Sequence, residues 1–310
     1  MLKRIKINWF RCLKEVALNL SPLTVLVGPN ASGKSTLLQA LDPGYRLQLR
    51  DLWMRERRNF MFRFEYDDGK ELQREITTLP QSLSEAGLTR YQYQFLRLDL
   101  DRLRSPNQAR HEQLLESNGA NLTNVFLSLG RALQIQIARE LSDLVGSISD
   151  VDARPESNGN MNLVFQDRWK PDVLYLPREV SDGTMLLLAF LVCRHQSPAP
   201  TLLAIEEPER GLHPYLLGEL VGILRKLSSP DLMMTGVAPI QIVVATHSAE
   251  LLNHLRPEEV RFFSRNSDDG SVRIEEAPTD TPEWERAVEE YRHSMRSLWL
   301  SGGLGGVPGG

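Results

Sequence analysis

Four short stretches carry residue types that could do chemistry together. Gly28-Pro29-Asn30-Ala31-Ser32-Gly33-Lys34-Ser35-Thr36 fits the spacing G-x-x-x-x-G-K-[ST]. Glycines there let the backbone wrap closely around a phosphate and point N–H groups inward, while a following helix start adds partial positive charge. Lys34 would reach the β- and γ-phosphates, and Ser35 would hold Mg²⁺. Glu206 and Glu207 stand as adjacent acids after the apolar run Leu202 to Ile205. Beside such a loop, one carboxylate can join the Mg²⁺ shell and the next can polarise a water for attack on the γ-phosphate. Alone, the pair reads as a solvated strand end. His247, in Thr246-His247-Ser248, could bond the γ-phosphate or hold that water; alone it reads as structural. Ser181 and Gly183 open an apolar helix and offer a hydroxyl and free N–H groups to a second anion; alone, the pattern is a helix cap.

The elements that must position these groups are legible around them. Leu23 to Val27 reads as a buried strand and Lys34 to Leu41 as a helix start, the context this phosphate loop requires. In the last third, strand Leu202–Ile205, helix Leu212–Leu227 and strand Gln241–Ala245 alternate, which predicts a mainly parallel sheet with ligands at its carboxyl ends. Glu206, Glu207, His247 and the glycine-rich loop all fall there. Upstream, Leu2, Ile5, Ile7 and Trp9 suggest a first strand, and Val16, Leu18 and Leu20 a second. Phe60, Phe62, Phe64 and Tyr66 alternate with Arg63 and Glu65. Asp67-Asp68-Gly69 then reads as a hairpin turn before a return strand from Leu72 to Ile76, so an antiparallel layer is expected. The middle of the chain is less patterned. Ser105-Pro106-Asn107 breaks it, Ala120 to Ile148 carries helical spacing, Asn158-Gly159-Asn160 is a turn, and Met161 to Phe165 reads as a strand. No sustained heptad or internal repeat is visible. Trp284 to Leu300 has helical spacing, and the glycine-rich Ser301 to Gly310 reads as a flexible tail or, more sharply, as a partner-docking peptide.

Composition narrows the class. The 310 residues are 41% hydrophobic and 25% charged with net charge −4, ordinary for a globular protein and without a global pull toward nucleic acid or anionic membrane. Cys12 and Cys193 form no metal or redox motif and read as small apolar fillers. The longest apolar run, Met185 to Cys193, is too short to cross a bilayer. With no signal peptide ahead of the first strand, the expected location is cytoplasmic.

Taken in order, these stretches resemble ABC-type ATPases of the RecF and structural-maintenance-of-chromosomes (SMC) group, and more narrowly the small AAA_21 or OLD-like ATPases of bacteria. The marks are Gly28 to Ser35, Ser181-Asp182-Gly183-Thr184, Glu206-Glu207-Pro208-Glu209-Arg210-Gly211-Leu212-His213-Pro214, and Ala245-Thr246-His247-Ser248-Ala249-Glu250-Leu251-Leu252. Phe10-Arg11 resembles the group's entry before the P-loop, and Leu96-Arg97-Leu98-Asp99 and Asn118-Gly119-Ala120-Asn121-Leu122 are similar too, less specifically. The resemblance implies an α/β P-loop ATPase head with a mainly parallel central sheet, an N-terminal antiparallel β layer and a helical lobe. The ATPase domain would span 1–265, with the lobe inserted at about 80–178, and 266–310 would form a C-terminal strand, helix and tail. It implies ATP and Mg²⁺ as cofactors. Asn30, Ala31, Ser32, Gly33, Lys34, Ser35, Thr36 and Arg11 would bind nucleotide, and Ser35 and Glu206 the metal. Glu207, His247 and Lys34 would be catalytic, while Ser181 and Gly183 would contact ATP held by a second copy. Hence a homodimer closed by ATP is expected. The expected partner is a separate nuclease or toxin in nucleic-acid-linked or anti-phage defence, with nucleic acid allowed and no membrane. The alternative is a non-catalytic ATP-controlled switch that sequesters a partner protein. The chain departs from the group at Glu206, where Asp is usual, in lacking a coiled coil, and in its Q-loop glutamine, for which Gln81, Gln92 and Gln94 are all candidates.

Overall fold

Strands covered on both faces read as near-continuous apolar runs, and the stretches before the glycine-rich loop, before Glu206 and before His247 have that character. A computed structural model describes residues 1–53, 59–77, 81–87, 90–229, 239–279, 281–290 and 294–301. The chain begins β1 (Leu2–Phe10), β2 (Leu13–Asn19), β3 (Leu23–Val27), α1 (Lys34–Ala40), β4 (Arg46–Leu47), β5 (Phe60–Tyr66), β6 (Glu71–Ile76), β7 (Gln81–Ser82) and β8 (Tyr93–Leu96). It continues α2 (Leu100–Leu103), β9 (Asn107–Gln108), α3 (Leu122–Ser128), α4 (Arg131–Leu144), β10 (Ile148–Pro155), β11 (Asn160–Asp167), β12 (Leu174–Tyr175) and α5 (Asp182–His195). The last third holds β13 (Leu202–Glu206), α6 (Leu217–Ser228), β14 (Gln241–Thr246), β15 (Val260–Arg265), β16 (Val272–Glu276), α7 (Pro282–Glu290) and α8 (Met295–Leu300). Two compact units result: Met1–Phe95, Pro200–Glu207 and Val221–Gly310 form the first, Leu96–Ala199 and Pro208–Leu220 the second.

The first unit is built on a six-stranded sheet in the order β16-β15-β3-β14-β13-β8. β15, β3, β14 and β13 run parallel, and β16 is antiparallel to β15. Every residue of β3 and β14 is buried, so the mainly parallel sheet read from the apolar runs is present. A second, antiparallel sheet is ordered β2-β1-β5-β6. Phe60, Phe62 and Phe64 are fully buried on its inner face, and Phe62 stacks on Phe64 at 6.3 Å between ring centroids. Each such ring is worth roughly 1.5–3 kcal/mol on burial. On the outer face Arg63 pairs with Glu65 and Glu71 at 3.2 and 2.6 Å. The first strand departs from its expected pattern at one residue. Trp9 has φ of +69° and is only half-buried, and Phe10 takes the core position that alternation assigns to Trp9. The positive φ turns the chain by one residue, which swaps the side-chain faces.

The second unit carries strands beside its helices, among them the one expected over Met161 to Phe165. Alongside α2 to α5 it carries an antiparallel sheet of β10, β11 and β12, with β9 pairing β11. It starts at Leu96 rather than near residue 80 and takes in α5 together with Pro208–Leu220. The helical stretch expected over Ala120 to Ile148 is two helices. Leu129 is extended, Gly130 follows, and the buried Gln134 amide donates to the carbonyls of Phe126, Leu127 and Leu129 at 3.1, 3.3 and 2.9 Å. A side chain thus takes the place of the next helical turn. Ile148 already belongs to β10. The helix expected from Leu212 is delayed as well: Gly211 has φ of +83°, Pro214–Leu216 is a single 3-10 turn, and α6 starts at Leu217. Likewise Trp284 to Leu300 is not one helix, because Ser294 caps α8 by accepting the Ser297 N–H. The tail beyond Ser301 lies outside the described residues. Cys12 is half-buried; Cys193 is buried in α5, where burial pushes its thiol up to about 12.

Candidate nucleotide site

The glycine-rich loop leaves β3 and turns into α1 through backbone conformations its residues were chosen for. A Cβ on Gly28 would sit 2.4 Å from the Phe263 carbonyl oxygen of β15, so only glycine lets the loop pass that strand. Gly33, at φ of +107°, caps α1, and a Cβ there would lie 2.5 Å from Val272 and 3.3 Å from the Cys12 sulfur. Ala31 also has positive φ, +62°. Lys34 is buried, and its ammonium donates to the carbonyls of Gly28 and Pro29 at 2.7 and 2.8 Å, folded over the loop that carries it.

Around this loop lies a cavity of about 220 Å³ lined by Asn30 to Thr36, Glu206, Glu207, Ala245 and Arg265. The Ser35 hydroxyl donates to Glu206 Oε1. Glu207 follows at φ of +50°, its N–H donating to the Ala245 carbonyl at 2.8 Å, and its Oε1 stands 2.9 Å from His247 Nδ1. β13 and β14 pair in register through Glu206 and Ala245, and this places both acids and the histidine at one end of the sheet. Among the described residues no cluster of three or more His, Cys, Asp or Glu could hold a metal by itself. A serine hydroxyl beside one carboxylate is instead an oxygen donor pair that fits Mg²⁺, which takes few protein ligands and fills the rest with water and phosphate oxygens.

The residues singled out in the sequence divide into four groups. Asn30, Ala31, Ser32, Gly33, Lys34, Ser35, Thr36, Glu206 and Glu207 line one cavity, and His247 bonds to Glu207. Arg11 does not line it. Its guanidinium is taken by Asp51, Tyr45 and Gln39, with Nε 2.8 Å from Asp51 and an N–H 2.7 Å from the Tyr45 hydroxyl. Ser181 and Gly183 belong to the other unit. There Ser181 caps α5, accepting the Thr184 N–H at 3.1 Å, and a Cβ on Gly183 would fall 2.4 Å from Leu216. None of Gln81, Gln92 and Gln94 lines the cavity. Gln81 lies in β7 opposite Leu47, while Gln92 and Gln94 flank Tyr93, whose phenol is pushed up by burial and by the charges of Asp42 and Glu206.

Arg265 is the lining residue that sequence reasoning missed. It ends β15, and its Nε donates to the Ala31 carbonyl at 2.8 Å. The run Val260 to Phe263 signals a strand, but nothing local in the sequence says that this strand lies beside β3 in the register Phe262 to Val27.

The fold is that of a P-loop NTPase core of the RecF/SMC-like type. The family model "AAA domain, putative AbiEii toxin, Type IV TA system" (AAA_21) matches residues 23–253, and an "AAA ATPase domain" model matches residues 1–43. The chain belongs to the AAA_21 family. A 53-residue stretch is 51% identical to an OLD nuclease of Thermus scotoductus, covering 17% of this chain and 9% of that protein. Among solved structures, the SMC head domain from Thermotoga maritima matches with a TM-score of 0.54 at 14% identity, over 89% of this chain and 98% of that one. An SMC head bound to the C-terminal winged-helix domain of ScpA matches with a TM-score of 0.57 at 14% identity, over 90% and 99%. Among the described residues, no helix is long and apolar enough to cross a membrane.

Proposed function

We propose that this chain binds ATP with Mg²⁺ and hydrolyses it, and that two copies close over shared ATP. The observation that carries the reading is the arrangement at the sheet end: Ser35 against Glu206, and Glu207 against His247, around the P-loop cavity. Ser35 and Glu206 would hold Mg²⁺, which would supply neutralisation of phosphate charge when bound. Lys34 exchanges its loop carbonyls for phosphate oxygens and stabilises the charge that spreads over the γ-phosphoryl oxygens. The Glu207 carboxylate orients a water and takes its proton as the water oxygen attacks phosphorus; the bond from phosphorus to the bridging oxygen breaks, and ADP leaves. His247 fixes the Glu207 carboxylate through Nδ1. Ser181 and the first amides of α5 from a second copy complete the phosphate shell, which makes association depend on ATP.

The biological reading is that this ATPase drives a separate effector, a nuclease or toxin, in nucleic-acid-linked or anti-phage defence in the cytoplasm. The family description and the OLD nuclease relative support that class of role. The test of the chemistry is Lys34→Ala with phosphate release as readout. Turnover should fall by about a hundredfold or more, since the ammonium is lost from the transition-state charge, and nucleotide binding should weaken with it. Unchanged turnover would rule out the P-loop as the site of hydrolysis.

A further inference from the structure

Resting on the shared-site reading above, we propose that Arg104 is a positioning residue for closure: it fixes the loop before α5 in the shape that presents Ser181 to the nucleotide of a second copy. Arg104 follows α2 directly, and its side chain is only 16% exposed. Its Nε donates to the Pro177 carbonyl at 3.0 Å, and one terminal nitrogen donates to the Val180 carbonyl at 3.2 Å and to Asp182 Oδ1 at 2.5 Å. These acceptors lie on both sides of Ser181. Carbonyls ahead of a helix have no partner within it, and a carboxylate in the first turn is otherwise free to turn to solvent. One planar guanidinium ties all three together, which a point-like ammonium does less completely. Ser181 is thereby held extended, at φ −65° and ψ 154°, with its hydroxyl 2.8 Å from that of Thr184.

Arg104 is itself firmly placed. Asp99 caps α2 by accepting the Arg102 N–H, and the Asp99 N–H donates to the Asn118 carbonyl at 3.0 Å. Gly119, at φ of +79°, lets Leu103 pack where a Cβ would stand 2.4 Å away. The two weaker family marks, Leu96 to Asp99 and Asn118 to Leu122, thus serve as the mount for Arg104. The same mount touches the segment after the paired acids, since a Cβ on Gly211 would lie 2.6 Å from Leu100 and 3.5 Å from Asp182. Arg104 lines two cavities, one with Arg210 and one with Arg178. A single short segment therefore sets the loop before α5 and meets the loop after Pro208 within one unit.

The experiment places Arg104→Ala in the Glu207→Gln chain and reads ATP-dependent association by light scattering. Binding of a fluorescent ATP analogue is measured in parallel on dilute monomer. Glu207→Gln alone should associate with ATP. Adding Arg104→Ala should weaken association by about tenfold or more while analogue binding stays within about twofold, and Arg104→Lys should recover part of the loss. Association equal to that of Glu207→Gln overturns the proposal, and so does a loss of analogue binding in step with association, which marks a merely structural residue. If Glu207→Gln does not associate at all, the shared-site reading fails and takes this inference with it.

Discussion

Glu207 carries two burdens at once. Its carboxylate meets His247 at 2.9 Å, and its backbone sits at φ of +50°, where a side chain is unfavourable. Holding a non-glycine residue there costs about 1 kcal/mol. The neighbouring strands enforce it through the Glu207 N–H bond to the Ala245 carbonyl at 2.8 Å. Glu207→Gly should therefore abolish turnover and raise the thermal midpoint by about 1–3 °C, since the strain is relieved; calorimetry and phosphate release on the same preparation check both halves. A fall in the midpoint would mean that the side chain supports the fold rather than the chemistry. At this scale most of the site was readable, because Lys34, Ser35, Glu206, Glu207 and His247 each sit in a short local pattern. Arg11 and Arg265 were not, for opposite reasons. Arg11 stands near the loop in sequence, but its charge is engaged by Asp51 and Tyr45; Arg265 stands 234 residues from the Ala31 carbonyl it holds.

Among the elements, α3 and α4 show what periodicity leaves out. Apolar residues continue at helical spacing through Leu129, so the pattern carries straight across a break made by backbone geometry at Leu129 and Gly130 and sealed by Gln134. Nothing in the spacing tells that one buried amide will serve three carbonyls. Gln134→Ala leaves those groups without their donor and should cost about 1–3 kcal/mol. A shifted urea midpoint with unchanged binding of an ATP analogue is the expected result; no shift would place the stability of the junction elsewhere. The sheet of the first unit was legible for the contrary reason. β3, β13 and β14 are nearly continuous apolar runs, interrupted only by Thr24 and by Glu206, Gln241 and Thr246 at strand ends, which is what strands covered on both faces require. The sheet of the second unit, β10 to β12, was legible only in part, since β12 has two residues and an exposed leucine at its start.

In the whole molecule, the proposed shared site takes residues from two copies. If Ser181 acts on the partner's ATP, mixing Ser181→Arg with Lys34→Ala gives heterodimers in which one site carries both defects and the other neither. Some turnover should return on mixing two inactive proteins; its absence, together with loss of ATP binding by dilute Ser181→Arg monomer, would place Ser181 in its own chain's pocket. Whether Glu207 orients the attacking water at a P-loop Mg²⁺–ATP site is read from ATP binding and phosphate release on Glu207→Gln. The substitution keeps the shape and removes the proton acceptor. Binding should be retained, and turnover should fall by about 10²–10⁴-fold, the usual contribution of a general base. Turnover at the unmodified rate would contradict the account, and a dead Glu206→Gln beside an active Glu207→Gln would reverse the two acids.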